Sequence, residues 1–353
     1  MFRKNVFSWM TVLLLVMTPA IVRASQGSGP LKVFILAGQS NMEGHAHMRT
    51  MDYLGEDPQY GHLLKKVKGP DGAWIERKDV WIYYKRGDGK LKKGNLTASY
   101  GASDNEIGPE LMLGNILGDH YENQVLLIKT AWGGRSLAFD FRPPSSGEIA
   151  LDKFSEKERL KLKENIDKKL MGKAYNDMIS EVKNVLGNLK EQFPEYDGKG
   201  YELAGFVWVQ GWNDMINTNY TAEYATNLTN MIKDVRKDLQ VPNLPFAIGE
   251  MGIDGKDAGV GIQRFRKAQA EGVAAPEFKD NVELVTTKEY WDEKTAKLVK
   301  EGWEPKHKWP SKEMEEEFNK LGSQPGYHYL GSAKIYSLMG MALAESIYKL
   351  SKK

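Results

Sequence analysis

Short apolar runs recur along the chain at about residues 31 to 37, 125 to 130, 203 to 209, 245 to 249 and 282 to 285, separated by stretches whose apolar positions fall at helical spacing. Runs that are apolar at consecutive positions, not alternate ones, suit strands buried on both faces of a parallel sheet. Strands alternating with helices predict an α/β architecture with a parallel, doubly covered sheet. Helix starts are legible at Gly108-Pro109-Glu110, with Pro expected at the first helical position, and at Thr221, from which a helical stretch runs toward Leu239. Residues 154 to 192 read as a charged helical segment, and an apolar helix closes the chain near Leu350. In such a sheet, the residues that follow each strand gather at the carboxyl edge, where open α/β folds place their ligands.

Two stretches interrupt the alternation. About 45–107 carries Trp74, Trp81, Tyr83, Tyr84 and Tyr100, with Val80 to Lys85 and the turn Gly87-Asp88-Gly89 reading as a hairpin. About 286–324 carries Trp291, Trp303 and Trp309. As insertions they are placed to wall a cleft, although single aromatics of this kind more often pack down on the main sheet.

The first two dozen residues have Arg3 and Lys4, an apolar stretch to Val22, and Val22-Arg23-Ala24 before Ser25, the pattern of a signal peptide cleaved after Ala24. The apolar run is shorter than a membrane-spanning helix needs and contains Pro19. The expectation is therefore a leader at 1–24 and one domain over 25–353, secreted or periplasmic, with no stable membrane insertion after cleavage. The chain has 353 residues, a net charge of +2 and no cysteine, so it can bury a full core but forms no disulfide. No basic stripe with interleaved aromatics is present, which argues against a nucleic-acid partner.

Four segments carry candidate chemistry. Gly38-Gln39-Ser40-Asn41-Met42 delivers Ser40 just after the first strand, as a nucleophile or as a helix cap. Gly133-Gly134-Arg135-Ser136 follows the second apolar run, and its paired glycines suit a backbone amide aimed at a substrate oxygen. Gln210-Gly211-Trp212-Asn213-Asp214 ends the third run in amides and one carboxylate. Gly326-Tyr327-His328-Tyr329 precedes the last helix and supplies a histidine. No zinc-protease motif occurs, His45 and His47 form only a two-member set, and no metal or other cofactor is expected.

Together and in this order the segments resemble the four blocks of the SGNH hydrolase superfamily, and more closely its sialate O-acetylesterase and carbohydrate esterase family six group. The resemblance implies a flavodoxin-like three-layer α/β/α sandwich with a parallel sheet. It also implies a serine carboxylic ester hydrolase acting on an O-acetylated carbohydrate such as acetylated xylan or a sialic acid. On the matching residues, Ser40 is the implied nucleophile and His328 the general base. Ser40, Gly134 and Asn213 form the implied oxyanion hole, and Gln39, Asn41, Gln210 and Arg135 are expected to bind substrate. Two positions depart from the pattern. Trp212 stands where the closer group has Glu, and Pro325 stands where the superfamily has the Asp of Asp-x-x-His. A triad acid holds the imidazole in its working tautomer, and disabling it in a serine protease costs about 10⁴ in turnover. Glu250, at the end of the Phe246–Gly249 run, is the candidate replacement; the alternative is a Ser-His dyad whose ring is oriented by a backbone carbonyl or water. The competing functions are a non-catalytic glycan-binding protein on the same scaffold and a lipase or thioesterase of the superfamily.

Overall fold

The computed structural model describes residues 29–353, so the expected leader at 1–24 lies outside the described residues. Among the described residues there are nine strands: β1 (Leu31–Gly38), β2 (Ala46–His47), β3 (Arg77–Lys85), β4 (Leu91–Leu96), β5 (Glu106–Ile107), β6 (Val125–Ala131), β7 (Tyr201–Val209), β8 (Phe246–Gly249) and β9 (Val282–Val285). Seven of them form one sheet in the order β4-β3-β6-β1-β7-β8-β9. All neighbours are parallel except β4, which runs antiparallel to β3. The exception follows from chain length, since the short turn closed by Gly89 N–H donating to Arg86 O (2.9 Å) permits only an antiparallel return. β2 and β5 make a separate two-stranded pair.

Helices cover both faces. At Gly205 in β7 an added Cβ would lie 2.4 Å from Ile347 of the last helix, Ala333–Leu350. Trp208, three positions on and so on the opposite face, donates its indole N–H to Tyr224 of the helix Thr218–Asp238 (3.3 Å). This is the expected three-layer α/β/α sandwich. Val33 to Ala37 are completely buried, which explains why β1 reads as a continuous apolar run.

The structure revises three local expectations. The Val80–Lys85 hairpin is part of the main sheet, with β3 paired to β6, and Trp81, Tyr83, Tyr84 and Tyr100 are core residues that wall no cleft. The charged segment at 154–192 is broken into Glu156–Asp167, Lys173–Gly187 and Leu189–Gln192, with Gly172 in the left-handed region (φ 69°) between the first two. Pro109 caps the helix Glu110–His120 from just outside it. Among the described residues no helix is long and apolar enough to cross a membrane.

One charged pair lies within this core. Lys129, on β6, is fully buried and donates to Glu110 Oε2 (2.9 Å) and to the carbonyls of Glu43 and Tyr100 (2.7 Å each). Burial pushes its ammonium pKa down, against the pull of Glu110. Removing one member of such a pair leaves an uncompensated charge in a place water cannot reach. Glu110→Gln is therefore expected to lower stability in urea unfolding by about 3–5 kcal/mol. A loss below about 1 kcal/mol, typical of an exposed pair, would contradict this role.

Candidate active site

Three neighbouring strands of the sheet end level with one another. Gly38, the last residue of β1, lies opposite Ala131 of β6 on one side and Val209 of β7 on the other. The next residues of all three strands therefore emerge together. Gly38 has φ 150°, and a Cβ there would lie 2.1 Å from the Val209 carbonyl oxygen, so only glycine allows β1 to turn this close to β7. The chain then enters a single helical turn, Ser40–Glu43, with Gln39 as its cap. Ser40 is 6% exposed, and its hydroxyl makes no hydrogen bond among the described residues.

The side chain of Gln39 ties the three strand ends together. Its Oε1 accepts from Gly211 N–H (3.0 Å), Gln210 Nε2 (3.1 Å) and Asn213 N–H (3.4 Å), and its Nε2 donates to Asn213 Oδ1 (3.3 Å). Asn213 Nδ2 in turn donates to the Gly134 carbonyl (2.8 Å), linking the β7 loop to the β6 loop. Gly134 is left-handed (φ 70°) with open space beside its Cα, and a Cβ on Gly133 would lie 3.9 Å from Ser40 Cβ. Ser40, Gly134 and Asn213 are thus brought to one place. Nδ2 of Asn213 carries a second hydrogen, so its bond to Gly134 leaves one donor free.

Asp214 holds this frame from beneath. It is fully buried and accepts from Leu137 and Ala138 N–H (2.9 Å each) and from Gln210 Nε2 (2.5 Å), and burial pushes its pKa up to about 6 despite those donors. Of the residues expected to bind substrate, Gln39, Gln210 and Asn41 are buried and committed to the framework, Asn41 accepting from the Tyr336 hydroxyl (3.2 Å). Arg135 remains half-exposed and pairs with Asp140 (3.1 Å).

His328 arrives on an unusual turn. His328, Tyr329, Leu330 and Gly331 all have φ between 48° and 61°, a left-handed run that costs non-glycine residues about 1–2 kcal/mol each. Its neighbours hold it in place. The Leu330 carbonyl accepts from Ser323 N–H (3.0 Å) and Gln324 N–H (3.2 Å), and the buried Tyr329 hydroxyl accepts from Gly252 N–H (2.9 Å). The His328 ring stacks on His45 at a centroid distance of 4.1 Å. Its Nδ1 lies 2.5 Å from Gln324 Oε1, an acceptor, which fixes the proton on Nδ1 and leaves Nε2 as the base.

Glu250 does not join this group. Its carboxylate accepts from Thr286 Oγ1 (2.9 Å) and pairs with Lys288 Nζ (3.3 Å), both following β9, and it makes no hydrogen bond to His328. The acid role expected of Glu250 thus lacks the contact it requires, because a local cation draws the carboxylate toward the next strand.

The charged residues around His328 were missed at the sequence level. His45 lies between Glu43 Oε2 and Glu106 Oε1 (3.6 Å each). Burial alone pushes the His45 ring down, but its bonds and attraction to Glu106 and Glu43 outweigh this and raise it to about 9. Burial first, then the facing His45 charge, push His328 down to about 4 against the two carboxylates. At neutral pH the pair therefore carries one positive charge, on His45. The local signal was Glu43-Gly44-His45, beginning three residues after the serine.

An α/β fold with a serine, paired glycine amides, an asparagine and a histidine near one sheet edge defines a candidate hydrolase of the acyl-transfer type. The chain belongs to the family described as carbohydrate esterase, sialic acid-specific acetylesterase, whose model matches residues 30–297. That match ends before His328. A probable carbohydrate esterase of Arabidopsis thaliana is 30% identical over 93 residues, which cover 25% of this chain and 36% of the relative, so the match spans about a third of that protein. The crystal structure of the same Arabidopsis protein aligns over 90% of this chain and 98% of its own, at 16% identity and a TM-score of 0.49. A carbohydrate acetylesterase from Xanthomonas citri aligns over 72% of this chain and 49% of its own, at 15% identity and a TM-score of 0.43.

The protonation pattern has a consequence for stability. A histidine whose folded pKa is raised from 6.5 to about 9 contributes stability that is complete below pH 6.5 and is lost as pH rises through 9. The stability gap between wild type and His45→Gln in urea is therefore expected to narrow across that window. A gap that is constant from pH 6 to pH 10 would contradict a charged His45.

Proposed function

We propose that the protein is a carbohydrate O-acetylesterase that hydrolyses acetyl esters through an acetyl-enzyme on Ser40. The observation that carries this reading is the convergence of Ser40, Gly134 and Asn213, held by the Gln39 hydrogen bonds at the level ends of β6, β1 and β7. Membership of the carbohydrate esterase family supports it independently.

In this mechanism His328 Nε2 takes the Ser40 proton as Oγ bonds to the acetyl carbonyl carbon. The amides of Ser40 and Gly134 and the free Nδ2 hydrogen of Asn213 receive the oxyanion. His328 then gives the proton to the departing sugar oxygen, and water repeats the sequence to release acetate. A neutral His328 at working pH is the form this cycle needs at its start.

Clefts on either side of the candidate site have sugar-compatible walls. One of about 980 Å³ is lined by Trp212 and Tyr327, which adjoin Asn213 and His328, and by Trp291 of the 286–324 segment; another presents Trp132 and Arg135. Aromatic faces with polar neighbours suit a carbohydrate better than the apolar groove a long acyl chain requires.

Acetate release from acetylated xylan and from acetylated sialic acid tests the proposal. Ser40→Ala is expected to abolish release, and Asn213→Ala to lower kcat by roughly 10²–10³, about 2.7–4 kcal/mol. Release by Ser40→Ala equal to wild type would remove the serine mechanism, and binding without any release would favour a glycan-binding protein.

A further inference from the structure

The position where an Asp-x-x-His acid would stand is occupied by Pro325, and Glu250 is turned away. The ring nitrogen that such an acid would hold is nevertheless satisfied. We infer that Gln324 is the positioning residue of His328, and that Glu106, bonded to the other end of the same amide, supplies the negative charge a triad acid would carry. This inference rests on the esterase reading above.

The geometry runs in one line. Gln324 Oε1 accepts from His328 Nδ1, and Gln324 Nε2 donates to Glu106 Oε1 at 3.4 Å. The same Nε2 lies 3.5 Å from His45 Nδ1, but with His45 protonated both groups are donors, so that approach is a contact and not a bond. The amide therefore has one orientation that satisfies both ends, carbonyl toward the histidine and N–H toward the carboxylate. Its backbone is fixed as well, since Gln324 N–H donates to Leu330 O across the left-handed turn. Gln324 is thus anchored to the same strained turn that presents the ring it orients.

The charges facing His328 come from three elements. Glu43 ends the Ser40–Glu43 turn, His45 precedes β2, and Glu106 opens β5. Two carboxylates and one imidazolium leave a net charge of −1 around the ring. When His328 accepts the Ser40 proton, that surplus charge stabilises the new imidazolium, and the Gln324 carbonyl keeps Nδ1–H directed away from the serine. An amide between carboxylate and imidazole transmits orientation without placing a full charge on Nδ1, which fits a ring whose pKa stays low. His45, stacked on the ring face, keeps Glu43 and Glu106 from both acting as uncompensated charges.

The test uses p-nitrophenyl acetate with wild type, Gln324→Ala, Gln324→Glu and Ser40→Ala, together with imidazole ¹⁵N NMR of His328. Gln324→Ala is expected to lower kcat at least tenfold, and by no more than the ~10²–10⁴ that general acid–base catalysis contributes as a whole, with KM within about twofold of wild type. It is also expected to abolish the Nδ1-protonated tautomer signal. Gln324→Glu restores an acceptor on Nδ1, so it is expected to keep activity above neutral pH while moving the acid limb of the kcat/KM profile upward. Wild-type kcat and an unchanged tautomer in Gln324→Ala, with activity still dependent on Ser40, would overturn the Gln324 assignment and leave the esterase reading intact. Activity that survives in Ser40→Ala would overturn that reading, and the present inference with it. Should Gln324→Ala fail to fold, Gln324→Glu carries the test, because an unmoved acid limb there contradicts the contact.

Discussion

The level ending of β6, β1 and β7 is the constraint on which the rest of the site depends. Because Gly38 sits opposite both Ala131 and Val209, the loops after three strands leave the sheet at the same height. A register shift of one residue in any of them would turn its side chains to the other face and carry its loop out of reach. Gln39 converts this coincidence of strand ends into a rigid frame, using both its oxygen and its nitrogen on the β7 loop, while Asn213 continues the link to Gly134. Asp214 completes it by fastening Leu137 and Ala138 beneath. The polar groups that hold the site together are themselves buried, so the cost of leaving any of them unpaired favours one arrangement.

Electrostatics organise the histidine side of the site. Lys129 anchors the carbonyl of Glu43 from within the core, and the Tyr84 hydroxyl donates to the Glu43 carboxylate (3.1 Å). That carboxylate and Glu106 hold His45 charged, and burial first, then the His45 charge, push the stacked His328 ring down. The chain reaches from the buried Lys129–Glu110 pair to the imidazole through short contacts between groups on five separate segments. The histidine itself rests on a left-handed turn that the buried Tyr329 and Leu330 side chains and the Ser323 and Gln324 amides stabilise. Strain at this turn is consistent with a residue whose placement matters more than its local backbone preference.

The architecture was legible because the central strands are apolar on both faces. β1, β6 and β7 announce themselves as unbroken runs, and their predicted limits agree with the structure within two residues. The β3–β4 hairpin was legible as a hairpin but not as a sheet component, since its pairing with β6 spans distant sequence. At the candidate site, the expected residues adjoining strand ends lie together because position along a strand predicts position at the edge. The partner of His328 was not, because Gln324 sits one place from where the pattern puts an acid and carries no charge to attract notice. Glu106 and His45 were hidden for a different reason: their contacts with Gln324 join residues more than 200 positions apart. Glu250 satisfied the edge rule yet failed for a local reason, the Lys288 ammonium that claims its carboxylate.

The central claim is that Ser40 is a nucleophile activated in this frame. The most direct measurement is covalent labelling with a fluorophosphonate, followed by mapping of the modified peptide by mass spectrometry. The account predicts a single stoichiometric adduct on Ser40, absent in Ser40→Ala and slowed in His328→Ala. A folded wild-type protein that takes up no label, or carries it on another serine, would contradict it.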